Sequence, residues 1–192
     1  FRAIKHFGGP GREGGGVSGI EIALWDLVGK VYGVPCYQFL GGKYRDRIPT
    51  YLGIGGSSIQ ALKENAARAM EQGFAAVKMG LGKGAGTRDM ARVAAVAEAV
   101  KGKGQLLLDS LGAFKLHEAV ALGRELDRLG SIGWWEDALM PEDTISYPKL
   151  ADAMDTAIVA GETLSNRFQF RDLFLNKAVD IVNPDICRAG GI

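Results

Sequence analysis

Three acidic residues, each directly after a short and mostly apolar run, are the best candidates in this chain for joint chemistry. They are Asp109, Glu136 and Glu162, spaced 27 and 26 residues apart. One acid at the same point of three successive units indicates a single site built from neighbouring strands. Carboxylates brought together repel each other unless a cation lies between them, and oxygen ligands suit a hard ion such as Mg²⁺. Taken singly, Asp109 would be a helix cap and Glu136 part of a solvated turn.

Lys78 and Asp185 end two further predicted strands. Lys78 lies one strand before Asp109, so its ammonium would point towards the carboxylates as a base or an electrophile. The alternative is a salt bridge to one of the acids. Asp185 would be a fourth ligand, a partner that orients a histidine on the next strand, or a helix cap. The residues alone leave these alternatives open.

A repeated strand-then-helix unit must position these side chains. Short segments that are apolar on both faces alternate along the chain with segments whose apolar residues recur at helical spacing. This alternation predicts parallel strands joined by right-handed crossovers. The predicted strands lie at 49–55, 75–80, 105–109, 132–136, 157–162 and 179–185, and the helices at 58–72, 88–101, 114–129, 144–153 and 168–177.

Two α/β architectures use this repeat, the doubly wound sheet and the (β/α)8 TIM-type barrel. Polar residues follow almost every strand, and in a barrel those strand ends converge on one site. In an open sheet they meet only at a switch point, and no GxGxxG motif follows the first strand. We therefore predict a partial barrel with about six of eight strands, truncated after the sixth.

The start of the chain is rich in glycine at 7–16, which predicts a flexible loop. A phosphate cradle is disfavoured because no strand precedes this loop and no Gly-Lys-Ser/Thr follows it. Ser18 is predicted to cap a helix, with Glu21 completing a capping box and Gly33 ending the helix.

Composition excludes several classes of function. The 192 residues are 47% hydrophobic and 23% charged, with a net charge of +1, so neither nucleic acid nor an anionic membrane is an expected partner. The start has no signal-peptide hydrophobic region. The two separated cysteines, Cys36 and Cys187, fit a reduced cytoplasmic protein with both thiols in the core. His117 is predicted at the surface and His6 lies in the irregular start, so neither is a credible catalytic histidine.

A set of motifs in one order along the chain carries a family resemblance. They are Ser18-Gly-Ile-Glu-Ile-Ala-Leu-Trp-Asp with Leu40-Gly41-Gly42, Val77-Lys78-Met79-Gly80, Leu108-Asp109, Trp135-Glu136-Asp137, Ala160-Gly161-Glu162-Thr163, and Asn183-Pro184-Asp185 with Gly190-Gly191. Together they resemble the mandelate racemase/muconate lactonizing enzyme family of the enolase superfamily, over roughly residues 17–192. By this resemblance, residues 1–47 would be the end of an N-terminal capping domain and its linker, and 48–192 the partial barrel.

The resemblance implies a role for each candidate residue. Asp109, Glu136 and Glu162 would bind Mg²⁺, which holds the substrate carboxylate while a base removes the α-proton, and Lys78 would be the electrophile that stabilises the enediolate. Glu162 together with Asp185 resembles the mandelate racemase branch, in which Asp185 would pair with a histidine on a seventh strand. The implied partner is a small carboxylate, a sugar acid, and the parent protein would be a homo-oligomer.

Two departures from the family pattern narrow the expected reaction. The branch commonly carries Lys-x-Lys at the second strand, where this chain has Gly80, so one face of the substrate lacks a base. Dehydration can use a single acid–base group, so we expect a sugar-acid dehydratase rather than a racemase or epimerase, with Lys83 as an alternative base. Leu111 stands where the family often has Asn, so polar substrate contacts would differ.

Two rival functions remain. One is a Schiff-base aldolase barrel with Lys78 as the nucleophile. The other is a non-catalytic metal-binding barrel, for which Gly80 is the main support. We expect the isolated fragment to be inactive, since it lacks the catalytic histidine.

Overall fold

The strands in the described part of this chain form one parallel six-stranded sheet in the order β1-β2-β3-β4-β5-β6. The computed structural model describes residues 13–82 and 86–192. The strands are β1 (Tyr51–Gly53), β2 (Ala76–Gly80), β3 (Gln105–Asp109), β4 (Ile132–Glu136), β5 (Ile158–Ala160) and β6 (Ile181–Val182), and the helices are α1 (Glu13–Tyr32), a 3₁₀ helix (Cys36–Leu40), α2 (Ile59–Glu71), α3 (Gly86–Val100), α4 (Leu116–Leu129), α5 (Ser146–Ala151) and α6 (Arg167–Leu175).

The strand order decides between the two architectures. Every strand pairs in parallel with its neighbours in the chain, whereas a doubly wound sheet would reverse its order at a switch point. The prediction of a partial (β/α)8 TIM-type barrel with six of its eight strands is therefore confirmed. The edge strands β1 and β6 are shorter than predicted because each has only one partner strand within the described residues.

Strand β4 carries an irregularity at Gly133. Leu106 pairs with Ile132 and Leu107 with Trp134, so Gly133 has no partner of its own, as in a β-bulge. A Cβ at Gly133 would lie 2.7 Å from Leu107 Cδ2, so glycine allows the strands to approach closely. After the bulge, β3 and β4 continue in register.

The chain divides into two compact units. The second unit, residues 49–160 and 173–182, contains the sheet, and its core lies between the sheet and helices α2, α3 and α4. The core side chains include Leu62, Val93, Val96, Leu106, Leu108, Leu126, Trp135 and Ile158, all fully buried. Each fully buried side chain of this size contributes about 1.5–3 kcal/mol, which holds the strand ends in place.

The first unit comprises the described residues up to 48 together with 161–172 and 183–192. Its α1 begins at Glu13, so the predicted cap at Ser18 is wrong. Ser18 lies inside the helix, fully buried, and its Oγ accepts a hydrogen bond from the backbone N–H of Gly190 at 3.0 Å. Residues 13–16 are helical instead of forming the predicted loop, while 7–12 and His6 lie outside the described residues. Gly33 follows the helix at φ +67°, as predicted.

Two smaller predictions have opposite outcomes. His117 is exposed on α4, as expected. Cys187 is exposed and Cys36 is partly exposed, so their placement in the core is wrong; Cys187 lies in the turn that follows Asp185 and faces solvent.

Within the described ranges, no helix combines the length and the apolar character needed to cross a bilayer.

Candidate active site

Lys78, Asp109 and Glu136 meet at the carboxyl end of the sheet. Lys78 Nζ lies 2.8 Å from Asp109 Oδ2 and 2.6 Å from Glu136 Oε2. The side chains are 16%, 19% and 5% exposed, respectively. Two largely buried carboxylates therefore share one cation, which cancels much of their mutual repulsion.

The strand register explains why these three residues meet. Asp109 pairs with Glu136 on one side and with Gly80 on the other. Lys78 lies two residues before Gly80, about 7 Å earlier along the strand. Residues two apart in a strand share a face, so the Lys78 side chain lies on the same face as position 80 and the paired Asp109. The long lysine side chain spans this difference and places its ammonium between the acids.

The pKa of Lys78 is raised above its ordinary value. Burial acts to lower it, but hydrogen bonds and charge interactions with Asp109 and Glu136 outweigh burial. Lys78 therefore stays an ammonium in this arrangement. The geometry is that of the salt bridge expected as the alternative role of Lys78, except that the lysine pairs with two acids, Asp109 and Glu136, instead of one.

The turns that follow the two acids have constrained backbones. Leu111 has φ +48° and Asp137 has φ +44°, in the left-handed region where residues with a Cβ are strained. The backbone N–H of Leu111 donates to Asp109 Oδ1 at 3.2 Å. Glu136 and Asp137 are buried at 4% and 2% exposure, so the solvated-turn alternative for these acids is wrong.

A buried hydroxyl links the strands beside the acids. Ser110 Oγ donates to the Leu81 carbonyl at 2.7 Å and accepts from Trp135 Nε1 at 2.7 Å. Ser110 was not predicted from the sequence, and the only signal available was its place directly after Asp109.

An aromatic pair lies next to Lys78. The Tyr51 ring centroid is 5.8 Å from Lys78 Nζ, within range of a cation–π interaction. Tyr51 also packs edge-to-face against Trp134, with the ring centroids 5.9 Å apart. Neither aromatic residue was predicted from the sequence. Tyr51 and Trp134 lie on β1 and β4, which are not neighbours in the sheet, so no pattern along the chain indicated that the two rings meet.

A cleft of about 470 Å³ opens beside Lys78 and Asp109. A Cβ built on Gly80 would meet no atom of the described residues within 4 Å, so a side chain at this position would begin in open space. Lys83, the alternative base, lies outside the described residues. The lining residues are Gly53, Ile54, Lys78, Met79, Gly80, Asp109 and Leu111.

The remaining two candidates, Glu162 and Asp185, belong to the first unit. Glu162 follows Gly161, which has φ +135° and whose Cβ would lie 3.1 Å from a ring carbon of Phe170, so glycine is required there. Asp185 Oδ1 accepts from the backbone N–H of Cys187 at 2.8 Å, and Oδ2 lies 3.6 Å from Arg188 Nε. These contacts hold a turn at 186–190, and within the described residues no helix follows Asp185 for it to cap.

The donor chemistry at the strand ends fits a hard divalent cation. Asp109 and Glu136 are level with each other and largely buried, and they direct carboxylate oxygens at one point, which the Lys78 ammonium occupies. Carboxylate oxygens are the ligands that Mg²⁺ prefers. Across the described ranges, no three His, Cys, Asp or Glu side chains are grouped as a ready metal site. Because Lys78 Nζ lies between the two carboxylates, a cation bound there would take over part of its contacts.

This chain is similar to several proteins that are named as cycloisomerases or dehydratases. A D-galactarolactone cycloisomerase of Agrobacterium fabrum is 31% identical over the whole chain, which covers 51% of that protein. The solved 3,6-anhydro-D-galactonate cycloisomerase of Zobellia galactanivorans is 34% identical with a TM-score of 0.92, covering 99% of this chain and 53% of the other. The L-talarate dehydratase of Polaromonas sp. JS666, solved with Mg and L-glucarate, is 30% identical with a TM-score of 0.89, covering 99% and 54%.

The chain thus spans about half the length of the curated relatives it matches. A family model described as enolase C-terminal domain-like matches residues 61–192. The resemblance to the mandelate racemase/muconate lactonizing enzyme group is confirmed by this match and by the relatives' sequences and structures. The chain belongs to the enolase C-terminal domain-like family.

Proposed function

We propose that this chain carries part of the active site of a Mg²⁺-dependent enzyme that removes the proton α to a carboxylate and dehydrates a sugar acid. Asp109, Glu136 and Glu162 would hold the ion, which when bound would draw negative charge away from the substrate carboxylate. Lys78 would donate to the same carboxylate as its charge grows. Asp185 would orient a histidine contributed by the longer protein.

The observation that carries this proposal is the position of Lys78 between Asp109 and Glu136. An ammonium held between two largely buried carboxylates is preorganised, so it can donate to a developing oxyanion without first collecting its proton from solvent. Strand ends that converge on one cleft also suit a small anionic substrate.

The open position at Gly80 favours dehydration over racemisation. Proton transfer on both faces of a substrate needs two acid–base groups, whereas elimination of a β-hydroxyl needs only one. Among the described residues, no atom lies within 4 Å of the point that a Cβ on Gly80 would occupy. A second base is therefore not supplied at that position.

The raised pKa of Lys78 argues against the aldolase alternative. A Schiff-base nucleophile must be an unprotonated amine, and burial is here outweighed by two carboxylates that keep Lys78 charged. The non-catalytic alternative predicts metal binding without proton exchange, and the assay below separates it.

Cycloisomerisation is a second candidate, favoured by the names of two relatives. In chemical terms, the same α-proton removal can expel a ring oxygen that stays attached to the product instead of a free hydroxyl. The two candidates share Lys78, the carboxylates and the first step, and they differ in the leaving group.

The test is α-proton exchange in D₂O by the full-length protein with Mg²⁺, followed by NMR on linear and cyclic sugar acids. We expect a 2-keto-3-deoxy product with solvent deuterium at C3, where the enol left by elimination takes up a deuteron, and deuterium at Cα of recovered substrate. Both should be lost in Lys78→Met and kept in the surface control Lys101→Met. Ring-opened product from cyclic acids alone would favour the second candidate. Mg²⁺ binding without exchange on any acid would support the non-catalytic alternative, and borohydride trapping of Lys78 without metal would support the aldolase.

A further inference from the structure

Ser110 is the meeting point of three strands at the carboxyl end of the sheet. Ser110 is buried, with 4% of its surface exposed. Its Oγ donates to the carbonyl of Leu81, just past β2, and accepts the indole N–H of Trp135 in β4, both at 2.7 Å. Ser110 itself directly follows β3, so a single hydroxyl joins β2, β3 and β4.

Each strand held by this hydroxyl carries a residue of the proposed site. Asp109 precedes Ser110, Glu136 follows Trp135, and Lys78 lies three residues before Leu81. The backbone supports the same arrangement, because Ser110 N–H donates to the Glu136 carbonyl at 3.0 Å and Leu81 N–H donates to the Asp109 carbonyl at 2.8 Å. The backbone bonds fix the strand ends, and the hydroxyl also fixes the Trp135 side chain behind them.

We propose that Ser110 is a positioning residue, whose buried hydroxyl sets the separation of the Asp109 and Glu136 carboxylates. This inference rests on the proposed function insofar as those carboxylates hold a divalent cation. Ser110 touches neither the cation nor the substrate in this role. It acts through the neighbouring residues of the chain.

Loss of the hydroxyl leaves two buried groups without this partner. In Ser110→Ala the Trp135 indole N–H and the Leu81 carbonyl each lose a hydrogen bond in a place that water does not reach, which favours a shift of β4 relative to β3. Residues behind metal ligands typically affect metal affinity about 10- to 100-fold. Threonine retains a hydroxyl at the same position as the matched replacement.

The experiment measures Mg²⁺ affinity by calorimetry on the full-length protein without substrate. We expect Ser110→Ala to weaken binding about 10-fold or more and Ser110→Thr to restore most of it. The matched control is Thr156→Ala, which removes another buried hydroxyl, 9% exposed, whose Oγ1 donates to Asp127 Oδ1 at 2.7 Å before β5. The control should lose stability but keep its Mg²⁺ affinity.

A second readout does not depend on the metal. The ammonium resonance of Lys78 in ¹⁵N NMR reports its contacts with both carboxylates, and we expect it to shift or broaden in Ser110→Ala but not in Thr156→Ala. Trp135→Phe removes the indole donor and keeps the serine, and it should change the same resonance. This variant replaces Ser110→Ala in the test if Ser110→Ala does not fold. An unchanged Lys78 resonance and Mg²⁺ affinity in the folded variants would overturn the inference. If the wild-type protein binds no Mg²⁺, the proposed function fails, and the Lys78 resonance alone decides the role of Ser110.

Discussion

Lys78 acts as a built-in counter-ion for Asp109 and Glu136, and this has a consequence for stability. Removing one partner of a buried ion pair leaves an uncompensated charge and costs about 3–5 kcal/mol. We therefore expect Lys78→Met to lower the free energy of unfolding by roughly 3 kcal/mol in a chelating buffer. Mg²⁺ should reduce this loss, because an ion bound to the folded state stabilises it.

Urea unfolding with and without Mg²⁺ measures this effect. The control is Lys101→Met, since Lys101 pairs with Glu98 at 3.5 Å on the surface, with side chains 64% and 75% exposed, and surface pairs contribute little. Equal stability of Lys78→Met and the wild type in the chelating buffer would contradict the counter-ion role.

Gly80 offers a prediction about reaction outcome. A Cβ at Gly80 meets no atom of the described residues within 4 Å, so the first carbon of a new side chain fits there, and Gly80→Lys should place a second amine at the cleft. A positioned base contributes about 10²–10⁴-fold to proton transfer, so we expect new epimerisation of the sugar acid, detected by NMR of recovered substrate. Gly80→Ala is the control and should show none; epimerisation by the wild type at the same rate would count against the role assigned to this position.

At the residue scale, spacing along the chain was enough to predict that Lys78, Asp109 and Glu136 come together. Acids and a lysine at the ends of successive parallel strands must lie on one edge of the sheet. Tyr51 and Ser110 could not be predicted in the same way, because their contacts depend on the strand register and on the direction of one hydroxyl. Neither is encoded by residue type.

At the scale of elements, the glycine in the β4 bulge is a position that leaves little room for a side chain. A Cβ at Gly133 would crowd Leu107 Cδ2 at 2.7 Å and Gln105 Oε1 at 2.9 Å. Overpacking of this kind typically costs about 1–3 kcal/mol, so Gly133→Ala should unfold at lower urea and bind Mg²⁺ more weakly. Gly55→Ala, where a Cβ meets nothing within 4 Å, is the matched control and should behave as the wild type; a parallel loss in both variants would refute the special role of the bulge.

Helix α5 contains a tyrosine that makes stability depend on alkaline pH. Tyr147 Oη donates to the Leu139 carbonyl at 2.7 Å, and burial, followed by the charge of Asp137, raises the pKa of Tyr147. A raised folded-state pKa contributes stability that is fully present below the unfolded value, about 10 for tyrosine. That contribution is lost as the pH rises towards the folded-state pKa.

We therefore expect Tyr147→Phe to be less stable by about 1 kcal/mol at neutral pH, through loss of a buried hydrogen bond. The difference between wild type and variant should shrink above about pH 10. Denaturant titrations across this range measure it, with Tyr44→Phe as the exposed control, since Tyr44 is 92% exposed. A difference that grows with pH would contradict the assigned sign.

The existence and order of the elements followed from periodicity, but their ends did not. Strands β1, β5 and β6 are shorter than predicted, because edge strands have fewer ladder partners and Gly161 ends β5 at φ +135°. The predicted start of α1 at Ser18 was wrong because the helix begins at Glu13; the Ser18 hydroxyl accepts from Gly190, a contact between residues far apart in the chain. Local sequence patterns do not contain such contacts.

At the scale of the whole molecule, the sheet has edges within the described residues. Strands β1 and β6 each lack a partner on one side, and unpaired edges promote association between chains. We expect the 192-residue chain to associate as its concentration rises, in sedimentation velocity. Ile181→Lys, on the β6 edge, should reduce this association, whereas Ile145→Lys, at a position 73% exposed outside the sheet, should not. A chain that stays monomeric at all concentrations would contradict this expectation.

The bulge at Gly133 links the site to the length of strand β4. Because Gly133 has no partner of its own, a chain without it could still pair Leu106 with Ile132, Leu107 with Trp134 and Asp109 with Glu136. An extra residue between Trp134 and Glu136 would instead turn the Glu136 carboxylate to the opposite face, because side chains alternate along a strand. When related sequences are aligned, an insertion in this stretch is therefore evidence for a lost site, whereas a gap at Gly133 is not.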